Sequence, residues 1–407
     1  MRRSRLYAPG RLLGIDVARG LALLGMMSVH IVPSLDGDGA VTWAYRISAG
    51  RASALFAVLA GISLTLSVWR GPSGARSLVP GARRGVLARA GVIGAVGLTL
   101  GLLQSGVAVI LVHYAVLFAI GALFLGLRAR TLAACAAGWL LLSPVVGHVL
   151  RAHLPPGPGP NPSVVSLANP AELVTTLLFT GYYPVLQWTG YLLVGLTLGR
   201  LNLGRFPLRS KRTALSLVGV GASLAVAAKA CSALLLGPGG GLAHLSVPSS
   251  SPIADRDLLV ALSTGTYGTT PTTSWWWLAV AGPHTGTPLD LLHTTGTALL
   301  VIGACLLLTA GLARHGRAVV LPLAAAGSMT LTLYTCHVVV LASMHDVDVG
   351  LTPSQLWAAH AVAALVVATL WQLTGWRGPL EGMAADASRA ARESALPLDA
   401  VQRNRFE

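Results

Sequence analysis

Three ionisable side chains, Asp16, Arg19 and His30, lie within one apolar stretch, residues 12–33. A guanidinium can hold a phosphate through two parallel hydrogen bonds, and an imidazole can take up and return a proton near neutral pH. Asp16 and Arg19 are i,i+3 neighbours on a helix and can pair. The step from Arg19 to His30 returns to nearly the same helical face. The stretch therefore predicts one helix with an anion-binding group and a proton-accepting group roughly 16 Å apart.

The same stretch is long and apolar enough to cross a bilayer, which takes about 20 residues. Ionisable groups at membrane depth are costly, so they usually face the interior of a helix bundle and mark a functional path. A plainer interpretation stays open. Asp16 and Arg19 can be a flanking pair that reaches the membrane interface, and His30 can be a hydrogen-bonded structural residue.

The composition of the whole chain is that of an integral membrane protein. Of its 407 residues, 54% are hydrophobic and 11% are charged, and the mean hydropathy is +0.68. A soluble domain has about 25% charged residues. The 4 cysteines fall in separate apolar stretches without ligand spacing. We therefore expect neither a disulfide framework nor a metal site.

Apolar segments of spanning length recur along the chain, and they predict an all-α, polytopic transmembrane helical bundle of about ten spans. The segments are 12–33, 51–69, 86–104, 107–127, 131–150, 181–199, 213–236, 291–313, 318–344 and 354–376. Most of the 29 lysines and arginines fall in alternate connections and at the two ends of the chain. The positive-inside rule then predicts that both termini are cytoplasmic. The net charge of +15 thus reflects basic inner connections that face anionic lipid, and it does not indicate a nucleic-acid-binding patch.

The predicted organisation is one transmembrane domain, residues 1–380, followed by a cytoplasmic tail, residues 381–407. The longest outer loop covers residues 237–290. The N-terminus begins with a basic region before an apolar one, as a signal peptide does. Because Asp16 and Arg19 interrupt the apolar run, we expect an uncleaved first span.

Other spans also carry polar residues that can line a site. They are Arg51 at the start of the second span, His113 and Tyr114 in the fourth, His284 and Asp290 before and at the start of the eighth, and Thr330, Tyr334 and His337 in the ninth. The last three follow i, i+4, i+7 and share one helical face. Structural alternatives remain for each: an interfacial arginine, a satisfied buried histidine, or a hydroxyl bonded to its own helix.

The run GIDVARGLALLGMMSVH resembles the first membrane helix of the heparan-α-glucosaminide N-acetyltransferase catalytic-domain family and its YeiB-like bacterial relatives, which open with Asp-x-x-Arg-Gly. The interval from Arg19 to His30 is also similar to that of the acyltransferase-3 membrane family. Further runs that resemble the first family are GRASALFAVLAGISL, GYYPVLQWTGYLLVGLTLGR, PHTGTPLDL and GSMTLTLY.

The resemblance implies a membrane acyltransferase that moves an acyl group, acetyl being the expected one, from cytoplasmic acyl-CoA to an extracytoplasmic hydroxyl or amine acceptor such as a sugar. In the acyltransferase-3 family an arginine and a histidine of the first helix belong to the active site, which implies such a role for Arg19 and His30. Our candidates for catalytic residues are His30, His337 and His113. The expected substrate-binding residues are Asp16, Arg19, Arg51, Tyr114, His284, Asp290, Thr330 and Tyr334. It also implies a multi-pass protein of a bacterial plasma membrane, with the lipid bilayer and the acceptor as partners. A homo-oligomer is compatible with the sequence.

Two other functional classes fit the same polar residues. Titratable histidines on several helices are also typical of a proton-coupled transporter or flippase, although no inverted repeat is visible in the sequence. A non-catalytic scaffold or sensor with a ligand-binding outer loop is the third class. Acyl-CoA-dependent transfer that His30→Ala abolishes would separate the enzyme from both.

Overall fold

The computed structural model describes residues 11–68, 79–155, 157, 159–203, 207–246, 258–268, 270–312, 316–345, 347 and 349–394. Within these residues the protein is helical, and the only extended pairing is an isolated bridge between Leu35 and Val41. The α-helices are α1 (Leu13–Ile31), α2 (Trp43–Ser48), α3 (Arg51–Val68), α4 (Val79–Leu100), α5 (Leu111–Phe124), α6 (Ala129–Arg151), α7 (Pro170–Thr175), α8 (Val185–Asn202), α9 (Lys211–Leu236), α10 (Leu258–Thr264), α11 (Pro288–Gly311), α12 (Gly316–Ser328), α13 (Thr330–Ser343), α14 (Pro353–Leu373) and α15 (Pro379–Glu393).

The predicted all-α membrane bundle is confirmed, and each of the ten predicted segments contains a helix. By length and composition, 6 helical stretches of the described chain can cross a membrane, or 7 if the bent pair α12–α13 forms one span. The number is lower than ten for physical reasons. Helix α4 carries Arg83, Arg84 and Arg89, and α5 has only 14 residues. We call the end of the bundle that holds Arg11 the inner end and the opposite end the outer end, after the predicted orientation.

Helix α1 lies at the centre of the bundle, where it contacts α3, α11, α12, α13 and α14. Small residues allow these helices to approach closely. A Cβ atom at Gly20 would overlap the carbonyl oxygen of Leu323, and one at Gly327 would overlap that of Asp16. Helices α1 and α12 therefore pack backbone against backbone, a contact that glycine makes possible in membrane bundles.

The connection between α4 and α5, residues 101–110, is not helical, although the sequence predicts apolar spans through most of it. Asn161 satisfies its backbone: the side chain donates to the carbonyl oxygen of Val107 at 2.7 Å and accepts from the N–H of Val109 at 2.8 Å. The N–H of Ile110 donates to the Tyr334 hydroxyl at 3.4 Å. Non-helical backbone is tolerated at membrane depth where it is buried in protein or lines a cavity, and this connection lines the cavity described below.

The ninth predicted span, 318–344, is also not one continuous helix. Helices α12 and α13 meet at Met329 with a bend of 75°. The reason lies at the inner end, where the Glu381 carboxylate accepts hydrogen bonds from the N–H groups of Leu331 (2.6 Å) and Thr332 (3.1 Å) and from the Thr332 hydroxyl (2.6 Å). An acidic group at the start of a helix satisfies free N–H groups and stabilises a new helix there.

Glu381 belongs to α15, which packs against α4 and α13. The first residues of the predicted tail, from 381 to 393, are thus part of a helix that contacts the membrane helices. Residues 395–407 of the predicted tail lie outside the described residues.

We expect Glu381→Ala to lower the free energy of unfolding by about 1–3 kcal/mol, because two backbone donors and one hydroxyl lose their acceptor. Asp386→Ala is the matched control on the same helix. Its ion pair with Arg389 is exposed and is worth less than about 1 kcal/mol. Thermal unfolding in detergent tests this, and equal melting temperatures for the two variants would contradict the capping role.

Candidate functional site

A cavity of about 620 Å³ lies at the outer end of the bundle. It is walled by the end of α1, by α2, by residues 101–108 and 160–161, and by the loops that precede α3, α8 and α11. The side chains in its wall that can bind or react with a ligand are His30, His284, Tyr45, Tyr182, Tyr183, Tyr267, Gln104, Ser105, Asn161 and Thr266. Among the described residues that line it, none is a lysine, arginine, aspartate or glutamate. The cavity is therefore polar and aromatic but carries no fixed charge.

His30 lies in the cavity wall and is connected to two further histidines behind it. Its Nδ1 is 3.2 Å from Nε2 of His337 on α13, and Nδ1 of His337 is 3.0 Å from Nδ1 of His360 on α14. The rings of His30 and His337 are stacked, and Tyr334 stands edge-on to His30 with centroids 6.2 Å apart. The predicted face of Tyr334 and His337 thus meets His30 directly.

His284 lies in the loop before α11, with a positive φ of +53°, a backbone conformation that is uncommon for residues other than glycine. Its ring is stacked with those of Trp188 and Tyr267, and its Nε2 accepts a hydrogen bond from the N–H of Gly50 at 3.2 Å. Burial lowers the pKa of His284 to about 4. The His284 ring is therefore neutral in the folded protein near pH 7.

The inner end of α1 carries the predicted ion pair. The buried Asp16 carboxylate accepts from Arg19 at 2.8 Å and from Arg11 at 2.6 Å. Arg19 also donates to the Ser63 hydroxyl of α3 at 2.6 Å. Arg89 on α4 is within electrostatic range of Arg19. An arginine cluster thus forms at this end of α1, opposite the cavity.

Several predicted site residues do not line the cavity. His113 is buried behind the wall, edge-on to Tyr183, and Tyr114 lies in the apolar core between Phe56 and Phe118. Thr330 begins α13 at the inner end.

Arg51 and Asp290 have structural partners near the cavity. The Arg51 Nε donates to Nε2 of His293 at 3.1 Å. The Asp290 carboxylate accepts from the N–H of Gly286 at 2.9 Å, which stabilises the turn that carries His284.

A comparison with protein-family models matches residues 11–230 to the catalytic region of heparan-alpha-glucosaminide N-acetyltransferase. The chain belongs to this family. Membership implies a membrane acetyltransferase-type function and confirms the resemblance seen in the sequence. No curated protein matches the chain.

The matched region of the family runs from α1 to within α9, so it contains His30, the arginine cluster and Asn161. It does not contain His284, His337 or His360. The two rings that contact His30, those of Tyr334 and His337, therefore come from a part of the chain that the family match does not cover.

Sequence reasoning missed Tyr45, Gln104, Asn161 and Tyr267 in the cavity wall, and His360 behind it. His360 lies in the predicted span 354–376, and a histidine in an apolar span is the same signal that marked His30. Asn161 lies in a Pro/Gly-rich turn, and nothing in its sequence context indicates that its amide holds the connection 101–110. Within the described residues, no group of three or more histidine, cysteine, aspartate or glutamate side chains is arranged to hold a metal ion.

We expect acid to destabilise the wild type more than His284→Asn. The unfolded chain protonates this histidine at its ordinary pKa of 6.5, whereas the folded protein does so only near 4. The contribution of neutral His284 to the free energy of unfolding is therefore present above pH 6.5 and is lost as the pH falls toward 4. Asparagine does not titrate and tolerates a positive φ. Melting temperatures at about pH 7.5 and about pH 5 test this; an equal decrease in both proteins would contradict it.

Proposed function

We propose that the protein transfers an acetyl group from acetyl-CoA, bound at the inner end, to a hydroxyl or amine of an acceptor in the outer cavity. One observation carries the proposal: a single helix, α1, holds an arginine cluster at one end and a cavity-lining histidine at the other. The spacing between Arg19 and His30, roughly 16 Å along the helix, has to be bridged by the extended pantetheine arm of the donor. The setting we infer is a bacterial plasma membrane.

The acceptor chemistry follows from the cavity wall. Its volume is typical of a small-molecule site. Tyrosine rings offer apolar faces for a sugar, and Gln104 and Asn161 offer amides for its hydroxyls. Because the described lining residues carry no cationic side chain, the cavity favours an uncharged sugar over a sulfated or carboxylated one.

In the transfer step His30 acts as the general base. Its Nε2 takes the proton from the acceptor hydroxyl or amine while that oxygen or nitrogen attacks the carbonyl carbon of the thioester. The carbon–sulfur bond then breaks, and the proton passes to the leaving thiolate of CoA. A correctly placed base contributes about 10²–10⁴-fold to such a step.

The donor's phosphates fit the inner end. Asp16 and Ser63 hold the Arg19 guanidinium in a fixed orientation. Arg89 lies over the Phe118 ring, and its buried Nε has no hydrogen-bond partner among the described residues. Guanidinium groups of this kind are suited to bidentate phosphate contacts.

His30→Gln should lower the rate of acetyl transfer by about 10²-fold or more, because the base is removed. His345→Gln is the control, since His345 is exposed and does not line the cavity. The purified protein would be assayed with labelled acetyl-CoA and neutral amino sugars or sugars. Transfer that survives in His30→Gln would overturn the role of His30. Movement of the acceptor into liposomes without acetyl-CoA would instead support a carrier.

Arg89→Gln should weaken acetyl-CoA binding by about tenfold, as expected for the loss of one charge-assisted phosphate contact. Arg84→Gln on the same helix removes an equal charge from an exposed position and should leave the affinity within about twofold. Isothermal titration calorimetry on both variants measures the difference. Equal affinities would contradict a donor site at Arg89.

A further inference from the structure

Three histidines from three helices form one hydrogen-bonded chain that leads away from the cavity. His30 of α1 contacts His337 of α13 at 3.2 Å, and His337 contacts His360 of α14 at 3.0 Å. His337 is buried, with 4% of its surface exposed, whereas His360 is half-buried. Since His337 uses both of its ring nitrogens, its two neighbours are coupled through it.

The coupling follows from the chemistry of the ring. A neutral imidazole carries one N–H donor and one lone pair. If Nδ1 of His337 donates to His360, then Nε2 of His337 must accept from Nδ1–H of His30. If Nε2 of His337 donates to His30 instead, Nδ1 of His337 must accept from His360. The chain therefore has two proton arrangements, which run in opposite directions.

The two arrangements differ in what His30 presents to the cavity. In the first, Nδ1 of His30 carries the proton and Nε2 keeps its lone pair, so Nε2 can take a proton from an acceptor. In the second, Nε2 of His30 carries the proton and Nδ1 accepts the hydrogen bond from His337, so His30 has no free basic nitrogen. Only the first arrangement allows His30 to act as a base.

We propose that His360 is a positioning residue whose Nδ1 accepts a hydrogen bond from Nδ1–H of His337 and thereby keeps His30 in its basic tautomer. Without this acceptor, a proton on Nδ1 of His337 would be a buried donor without a partner, which is unfavourable. The proton would move to Nε2 of His337, and His30 would be forced into the second arrangement. The role rests on the proposed function, in which His30 is the base, and it lies outside the region that the family match covers.

The test compares His360→Leu, which has no acceptor, with His360→Asn, whose amide oxygen can replace Nδ1. We expect the kcat of acetyl transfer to fall about tenfold or more in His360→Leu, with an unchanged KM for acetyl-CoA, and to stay within about threefold in His360→Asn. If the leucine variant does not fold, His360→Phe supplies a flat ring without an acceptor. Equal kcat values in the folded variants would overturn the proposal.

A second measurement reads the tautomer itself. In protein with ¹⁵N-labelled histidine, the His30 signals are identified by their loss in His30→Gln. We expect the His30 Nε2 shift to be that of an unprotonated nitrogen in the wild type and of a protonated one in His360→Leu. An unchanged shift in His360→Leu would contradict the proposal. This readout does not depend on acetyl transfer. If the wild type shows no transferase activity but the His30 Nε2 shift still differs between the wild type and His360→Leu, the positioning role is supported and only the proposed function is overturned.

Discussion

Polar side chains on a membrane helix need hydrogen-bond partners from other helices, and helix α1 carries such side chains at two depths. Near its inner end Asp16 is paired with Arg19, which in turn contacts Ser63 of α3. Near its outer end His30 contacts His337 of α13. Ser63 and His337 thereby fix the positions of α3 and α13 against α1. The bundle is thus organised by the need to satisfy two groups of polar atoms that the bilayer cannot solvate.

The outer cavity depends on a second departure from regular helices. The connection 101–110 and the loop that carries His284 are non-helical where they line the cavity. Side chains satisfy part of their backbone: Asn161 does so in the connection, and Asp290 and Thr270 do so in the loop. Tyr183 adds to this by donating to the carbonyl oxygen of Ala108 at 3.2 Å. At the inner end, Glu381 caps the start of α13 after the bend that follows α12. This bend directs Tyr334 and His337 toward α1. The outer cavity and the contact between His30 and His337 therefore depend on interrupted helices, whose free backbone groups are satisfied by residues distant in the sequence.

Much of this arrangement could be predicted from the sequence. Hydropathy is a local property, so the helical class and the positions of the helices followed from it. The Asp16–Arg19 pair followed from helical spacing, and the shared face of Tyr334 and His337 did as well. What could not be predicted depends on contacts between distant residues. The bend at Met329 needs Glu381, 50 positions away from Leu331, and the unwound connection 101–110 needs Asn161. His113 and His30 both lie in apolar stretches of the sequence, so the sequence does not distinguish them. In the fold, Tyr183 packs against His113 and separates it from the cavity.

The central claim is that one helix links a donor site at the inner end to an acceptor site at the outer end. A sided liposome assay tests it most directly. Purified protein of known orientation is reconstituted, labelled acetyl-CoA is supplied only on the inner-end side, and a neutral sugar or amino sugar only on the outer-end side. The account predicts acetylated acceptor on the outer-end side, and none when the two reactants exchange sides. Product that forms only when both reactants share one side would contradict transfer across the bundle.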